Sequence, residues 1–137
     1  MMRRWNSQLR WLKAMSSGKK TVEARLSNKL GDLKPTDEIV FCSGLGVQVY
    51  TTVLSIHKYT SFYDMLMAEG VSNVLPGVST VQEGVKIFHE MYEPSWEQKH
   101  GVSAVKFRVY KSPSFSCRVI KDQQMDQQRM DKFLHRF

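Results

Sequence analysis

The order of strand-like and helix-like segments constrains the fold of this 137-residue chain more than any other feature. Alternating or β-branched runs predict strands, and apolar residues three and four apart predict helices. The predicted strands are residues 20–26, 38–42, 47–56 and 102–110, and two helices, at 60–70 and 80–92, separate the third strand from the fourth. Strands and helices do not alternate regularly, which argues against a doubly wound parallel sheet. The order predicts an α+β protein with a small, mostly antiparallel sheet or barrel and helices packed outside it.

The helix boundaries have recognisable sequence signals. Ser61 with Asp64, and Thr80 with Glu83, have the spacing of capping boxes. A further helix is predicted near the N-terminus, where an apolar stripe has helical spacing and Gly18 follows it. That stripe consists of Trp5, Leu9, Leu12 and Met15. The residues after 120 are also predicted to form a helix, from a stripe that begins at Met125.

The net charge of +7 is unevenly distributed along the chain. Residues 1–25 hold seven Lys or Arg and one acid, and residues 106–137 hold eight and three. Residues 26–105 hold five Lys or Arg and nine acids. If both ends fold onto one face, that face attracts phosphate-bearing partners. A solvated charged surface without a partner gives the same composition.

Several other classes of protein receive no support from the sequence. No run approaches the ~20 apolar residues of a membrane span, so we expect no membrane contact. Cys42 and Cys117 are far apart, which favours reduced thiols and an intracellular location, cytoplasmic or nuclear. The four histidines lie in separate segments, so no metal site is expected, and since no Gly-rich phosphate loop is present, no cofactor is expected either. They are His57, His89, His100 and His135.

One polar cluster stands out within "SSGKKTVEARL", residues 16–26. On a strand, Glu23 and Arg25 lie on the same side, about 6.5–7 Å apart, and Lys20 lies just upstream. Such a group can bind phosphate through its cations, read a base edge through the carboxylate, or carry out acid–base chemistry. It can also be a strand-face ion pair, worth about 0–1 kcal/mol.

Residues 9–110 resemble the ASCH domain, the activating-signal-cointegrator homology domain of the PUA-like superfamily. The resemblance rests on "GKKTVEARL", "LKPTDEIVF", "YTSFYDML", "STVQEGVKIFHEMY" and "HGVSAVKFRV". The family's usual Gly-Asp before the second strand is Thr36-Asp37 here. The resemblance implies a small β-barrel of PUA-like type, with a cleft between barrel and helices lined by the motif residues. We therefore expect two parts: an ASCH/PUA-like domain at 1–110 that includes the N-terminal helix, and a basic extension at 111–137. The extension lies outside the resemblance, and its apolar stripe predicts a helix docked on the domain.

The resemblance implies two kinds of activity. Members of the family are thought to bind RNA or single-stranded nucleic acid, and one bacterial branch hydrolyses N4-acetylcytidine with a lysine, a threonine and a glutamate. Lys20 matches that lysine and Glu83 is placed to match that glutamate. The threonine position is occupied by Glu23, so the hydroxyl nucleophile is missing.

Three functions follow as expectations. The first is RNA or single-stranded nucleic-acid binding in a cleft lined by Lys20, Glu23 and Arg25, with basic residues around it. The expected nucleic-acid-binding residues are Lys19, Lys20, Glu23, Arg25, Lys106 and Arg108. The second is a small amidohydrolase acting on a modified, N4-acylated cytidine nucleoside, with Lys20, Glu23 and Glu83 as catalytic residues. The third is protein interaction through residues 111–137.

Overall fold

The structure, a computed structural model, describes residues 2–113. Its strands are β1 (Met2–Asn6), β2 (Val22–Leu26), β3 (Glu38–Cys42), β4 (Gln48–Tyr59) and β5 (Val102–Lys111). Its α-helices are α1 (Leu9–Ser16), α2 (Phe62–Glu69), α3 (Val71–Val74), α4 (Val81–Met91) and α5 (Pro94–His100). The predicted C-terminal helix, and all but the first three residues of the predicted extension, lie outside the described residues.

The five strands form one sheet in the order β1-β3-β4-β5-β2. Strands β1 and β3 pair in parallel, and the other three pairs are antiparallel. The sheet curls into a half-barrel with the helices packed around it. The predicted α+β class and mostly antiparallel sheet are therefore confirmed, and β1 and β2 are the two edge strands.

Two hydrophobic cores cover opposite faces of the sheet. The inner core lies inside the curl, where Leu9, Leu12 and Met15 of α1 pack against β3, β4 and β5. The outer core forms where α2, α3 and α4 pack on the opposite face of β2 and the first half of β5. Successive side chains of β2 point to opposite faces of the sheet, so this short strand contributes to both faces. Val22, Ala24 and Leu26 join the outer core, so Glu23 and Arg25 face the inner side.

The N-terminal segment differs from its prediction. Residues Met2–Asn6 form strand β1, and helix α1 begins only at Leu9. Trp5 was predicted to lie on the helical stripe, but its ring packs edge-on against Phe41 of β3, with the ring centroids 6.0 Å apart. The helical spacing from Trp5 to Leu9 was coincidental, because pairing with β3 decides the backbone of β1.

The predicted helix starts are confirmed at α2 and α4. The Ser61 hydroxyl accepts a hydrogen bond from the Asp64 backbone N–H at 3.0 Å, and that of Thr80 accepts one from Glu83 at 3.1 Å. Pro94 lies beyond the end of α4, as expected, and occupies the first turn of α5, a helix that the sequence did not predict. Proline suits that position because its missing N–H has no partner within the helix.

The turn before β3 contains an unusual backbone conformation. Thr36 has a φ of +75°, and it is the only non-glycine residue with positive φ among those the structure describes. A β-branched residue in this region is strained, whereas glycine is not. Thr36 therefore holds a backbone conformation that glycine would adopt without strain, at the position where the ASCH pattern has glycine.

Candidate functional site

Lys20 is buried, with 2% of its surface exposed. Its ammonium group donates to the backbone carbonyls of Val22 at 2.7 Å and Val74 at 2.6 Å. It also lies 3.4 Å from Oε1 of Glu23. Burial lowers the pKa of Lys20, and the nearby Glu23 carboxylate opposes that shift only in part. Three acceptors surround the three N–H donors, so the ammonium is fixed in place.

Glu23 lies between two cations. Its Oε2 accepts from Nε and Nη2 of Arg25 at 3.3 and 3.0 Å, while its Oε1 faces Lys20. Burial alone would raise the pKa of Glu23, but the charges of Lys20 and Arg25 outweigh burial and hold the pKa below its usual range. The carboxylate is therefore ionised at neutral pH and engaged at both oxygens.

Arg25 connects the two edge strands of the sheet. Besides Glu23, its Nη2 donates to the backbone carbonyl of Asn6 in β1 at 2.8 Å. Its guanidinium lies 4.7 Å from the centroid of the Trp5 ring, a cation–π contact. Because β1 and β2 are at opposite ends of the strand order, Arg25 bridges the open seam of the half-barrel.

This network suits a fixed polar wall better than acid–base chemistry. A carboxylate that acts as a general base needs a free oxygen and a pKa near the working pH, and Glu23 has neither. Lys20 keeps its donors on two carbonyls and one carboxylate. Lys20, Glu23 and Arg25 together carry one net positive charge, and they lie at the seam, at the edge of the inner core.

A surface cleft of about 510 Å³ lies next to this network. It separates the C-terminal end of α1 from the second half of β5, and Lys20 belongs to both cleft and network. Its lining includes three cations, several hydroxyl groups and no carboxylate. The lining residues are Met15, Ser16, Ser17, Gly18, Lys20, Thr21, Phe107, Arg108, Val109, Tyr110, Lys111 and Ser112.

The cleft exists because β5 is longer than its neighbour β2. Pairing between them ends at Val22 opposite Lys106, with one more hydrogen bond from the Phe107 N–H to the Thr21 carbonyl at 3.2 Å. Beyond that point β5 pairs only with β4. The α1 C-terminus lies beside this open strand edge, and Ser16 there has a buried hydroxyl without a hydrogen-bond partner among the described residues.

The structure brings together only part of the predicted site. Lys20, Glu23 and Arg25 are in contact, as the strand spacing predicted. Lys106 pairs with Val22 across the sheet, so Lys106 and Arg108 face the outer side, opposite to Glu23 and Arg25. Arg108 reaches the cleft because the cleft lies at the strand edge.

Two further predicted residues lie at the surface. Lys19 is exposed in the turn after α1. Glu83 is exposed at the start of α4, where its carboxylate accepts from the Ser79 N–H at 3.4 Å. Within residues 2–113, Glu83 makes no hydrogen bond or ion pair with Lys20 or Glu23.

Sequence reasoning missed four residues that line the cleft: Ser16 and Ser17 at the end of α1, and Tyr110 and Lys111 at the end of β5. Lys111 falls on the predicted domain boundary, and Tyr110 directly precedes it, so both were separated from the motif residues. The sequence did contain a signal for these residues. The pattern that predicts β5 is much longer than the five-residue strand β2, so the end of β5 had to lie beyond its pairing with β2.

Among the residues that the structure describes, no group of three or more His, Cys, Asp or Glu is arranged to hold a metal ion. Each helix within residues 2–113 is too short or too polar to cross a lipid bilayer.

Comparisons with solved structures identify the fold. The hypothetical protein PH0355 is 36% identical to this chain, with 80% of this chain and all of that one covered and a TM-score of 0.75. Protein PF0455 from Pyrococcus furiosus is 33% identical, with 81% and 99% covered and a TM-score of 0.67. A point mutant of the ASCH protein of Zymomonas mobilis is 14% identical, with 88% and 79% covered and a TM-score of 0.59. This chain belongs to the family of PH0355 and PF0455, and its fold is ASCH-type.

The ASCH-type fold confirms the resemblance seen in the sequence at the level of the fold, a half-barrel with helices packed around it. No protein-family model matches the sequence, and no curated protein matches it. The likeness to the Zymomonas protein is one of fold, because the identity is low. Function must therefore be argued from the cleft and its neighbouring network.

Proposed function

We propose that this protein binds RNA or another single-stranded nucleic acid, with phosphates held in the cleft between α1 and β5. The observation that carries the proposal is the lining of the cleft, which has three cations and no carboxylate. Lys20, Arg108 and Lys111 are the cations. A concave site with one sign of charge concentrates ligands of the other sign.

The cations of the cleft differ in their roles. Arg108 and Lys111 are exposed, so their long side chains can turn toward a phosphate. Lys20 is buried and held by two carbonyls, so it contributes a fixed positive charge beneath the cleft. Glu23 and Arg25 hold Lys20 in position across the seam, which gives the conspicuous motif of the sequence a positioning role.

Hydroxyl groups and backbone amides add neutral contacts. Ser16, Ser17, Thr21 and Ser112 line the cleft with hydroxyls, which donate to phosphate oxygens in nucleic-acid complexes. The strand edge of β5 beyond Phe107 adds backbone groups that β2 does not pair. These contacts fix a strand in register without depending on its sequence.

We do not extend the proposal to amide hydrolysis. The position of the hydrolase threonine is Glu23, whose two oxygens are engaged by Lys20 and Arg25. Glu83, the third expected catalytic residue, is exposed at the cap of α4. No observation at the site favours a nucleophile or a general base.

The test compares the affinity of a labelled single-stranded RNA of about ten nucleotides for wild type and for the double variant Arg108→Ala/Lys111→Ala. Anisotropy titrations at about 50 and 200 mM salt give the salt dependence of binding. We expect the double variant to bind at least ten-fold more weakly at low salt. Its slope of log affinity against log salt should be shallower by about 1.4, since each phosphate contact on a single strand contributes about 0.7.

The matched control is Lys58→Ala/Lys86→Ala, which removes two exposed cations that do not line the cleft. It should retain most of the wild-type affinity. Equal loss in both double variants would show that binding depends on net charge alone, and salt-insensitive binding or none would overturn the proposal.

A further inference from the structure

The outer face of the sheet continues the cleft. Cross-strand register places two rows of side chains on this face, and neither row belongs to the outer core. One row is Met2, Glu38, Thr52 and Arg108, and the next is Arg4, Val40, Tyr50 and Lys111. A bulge between the β4 and β5 registers places Tyr110 beside the second row. Helices α2–α4 cover the other half of the face, on β2 and the start of β5.

Helices α2–α4 do not pack on this surface, which we call the outer sheet face; it is strongly basic, with Val40 buried between the exposed cations. Its two rows contain the exposed cations Arg4, Arg108 and Lys111, and the exposed Lys106 lies one row further along, opposite Ser55. The single acid in its two rows is Glu38, and that carboxylate accepts a hydrogen bond from Tyr110. The charge therefore complements a polyanion.

An aromatic pair lies among these cations. The rings of Tyr50 and Tyr110 are tilted by 52° with centroids 6.1 Å apart, and Tyr110 is 47% exposed. The Tyr50 hydroxyl donates to Oε1 of Gln48 at 2.9 Å. Both phenols are thus held by polar partners, so little side-chain freedom remains to be lost when a planar ligand stacks on them.

The aromatic pair and the cleft share residues. Tyr110 and Lys111 line the cleft and also belong to the outer sheet face. The ammonium of Lys111 lies 5.5 Å from the centroid of the Tyr50 ring. A strand whose phosphate contacts Lys111 therefore has its neighbouring base within reach of the tyrosines.

We propose that the outer sheet face is a base-stacking platform, on which Tyr110, supported by Tyr50, stacks an unpaired base while the adjoining phosphates lie in the cleft. This inference rests on the proposed function and adds a second surface to it. Stacking on aromatic side chains requires bases that are not already paired and stacked in a duplex. The favoured ligand is thus single-stranded nucleic acid that carries bases, rather than a duplex or a bare polyphosphate chain.

The test measures affinity for two labelled ligands of equal length and charge, a single-stranded oligonucleotide and its fully abasic counterpart. Wild type should bind the base-bearing strand more tightly by about five-fold or more, the usual contribution of one stacked base. Tyr110→Leu should lose most of that preference, because it removes the ring on which the base stacks. Tyr110→Phe should retain the preference, because it keeps the ring.

The matched control is Tyr63→Leu, which removes a tyrosine that is 46% exposed on α2, away from the outer sheet face. Thermal melts establish that each variant is folded, and Tyr50→Leu provides a second variant of the platform. Equal affinity of wild type for both ligands, or an unchanged preference in folded Tyr110→Leu, would overturn this inference. If the abasic strand binds in a salt-dependent way and Arg108→Ala/Lys111→Ala weakens that binding, the proposed phosphate site in the cleft still stands. If neither ligand binds, both proposals are wrong.

Discussion

At the scale of single residues, Glu23 shows how a buried carboxylate is kept charged. It lies between Lys20 and Arg25, and their charges outweigh the effect of burial on its pKa. Removing one member of such a network leaves the others buried and unpaired, which costs more than the network contributes in net stability. The motif "KTVEAR" is thus a coupled unit, and its members cannot be substituted independently.

Glu23→Gln should lower the free energy of unfolding by about 3 kcal/mol at pH 7, because it leaves Lys20 without its counter-charge. A carboxylate whose pKa is lowered in the folded state stabilises the protein above its unfolded pKa of about 4.5, and this contribution disappears as the pH falls through the lower pKa of the folded state. The difference between wild type and variant should therefore shrink below about pH 4.5. Urea unfolding at pH 7 and in acid measures it, and a difference that does not change with pH would contradict this account.

Thr36→Gly should stabilise the protein by about 0.5–1 kcal/mol. The left-handed conformation costs a non-glycine residue roughly 1–2 kcal/mol, and the extra freedom of glycine in the unfolded chain offsets about half of that gain. Thr52→Gly is the control, since Thr52 lies within strand β4, where glycine destabilises by roughly 0.5–1 kcal/mol. Thermal unfolding of both variants tests the opposite signs, and a destabilised Thr36→Gly variant would show that the threonine side chain itself supports the turn.

The sequence was informative about residues wherever a local rule applied. Strand periodicity placed Glu23 and Arg25 on one face, and the capping boxes located the starts of α2 and α4. It was not informative about partners far apart along the chain. Nothing local indicates that Lys20 donates to the carbonyl of Val74, or that Arg25 reaches Asn6.

At the scale of secondary structure elements, the main lesson comes from the edge strands. Residues 2–6 are too few to show a clear period, and their one large aromatic residue, Trp5, has helical spacing to Leu9. Their conformation is set by parallel pairing with β3, which is tertiary information. Such a short edge strand needs additional contacts, and the Trp5–Phe41 and Trp5–Arg25 contacts provide them.

Arg25→Lys should weaken the seam between β1 and β2 although it conserves the charge. Lysine cannot reproduce the two bonds to Glu23 together with the bond to the Asn6 carbonyl and the ring contact with Trp5. We expect a loss of about 1–2 kcal/mol in the free energy of unfolding. Hydrogen exchange should also show that Arg25→Lys speeds the opening of β1 more than that of β4, relative to wild type.

The control is Arg4→Lys, at an exposed position of β1, which should change stability by less than about 0.5 kcal/mol. Equal effects of the two substitutions would show that Arg25 acts only as a charge.

At the scale of the whole molecule, unequal strand lengths create the candidate site. A short β2 beside a long β5 leaves a strand edge open, α1 lies beside that edge, and the basic segments at both ends of the described chain meet there. The sequence predicted a basic surface from its charge distribution and a cleft from its resemblance to ASCH domains. The sequence could not predict that the cleft would include Lys20 but lie beside Glu23 and Arg25. That arrangement depends on where the pairing of β2 with β5 ends.

The most direct test of this account is the mapping of amide chemical shifts during titration of labelled protein with a short mixed-sequence RNA at two salt concentrations. The account predicts shifts concentrated at residues 16–21 and 107–112, with binding that weakens as salt rises. Shifts confined to other surfaces, or no shifts at low salt, would contradict the assignment of the cleft as a nucleic-acid-binding site.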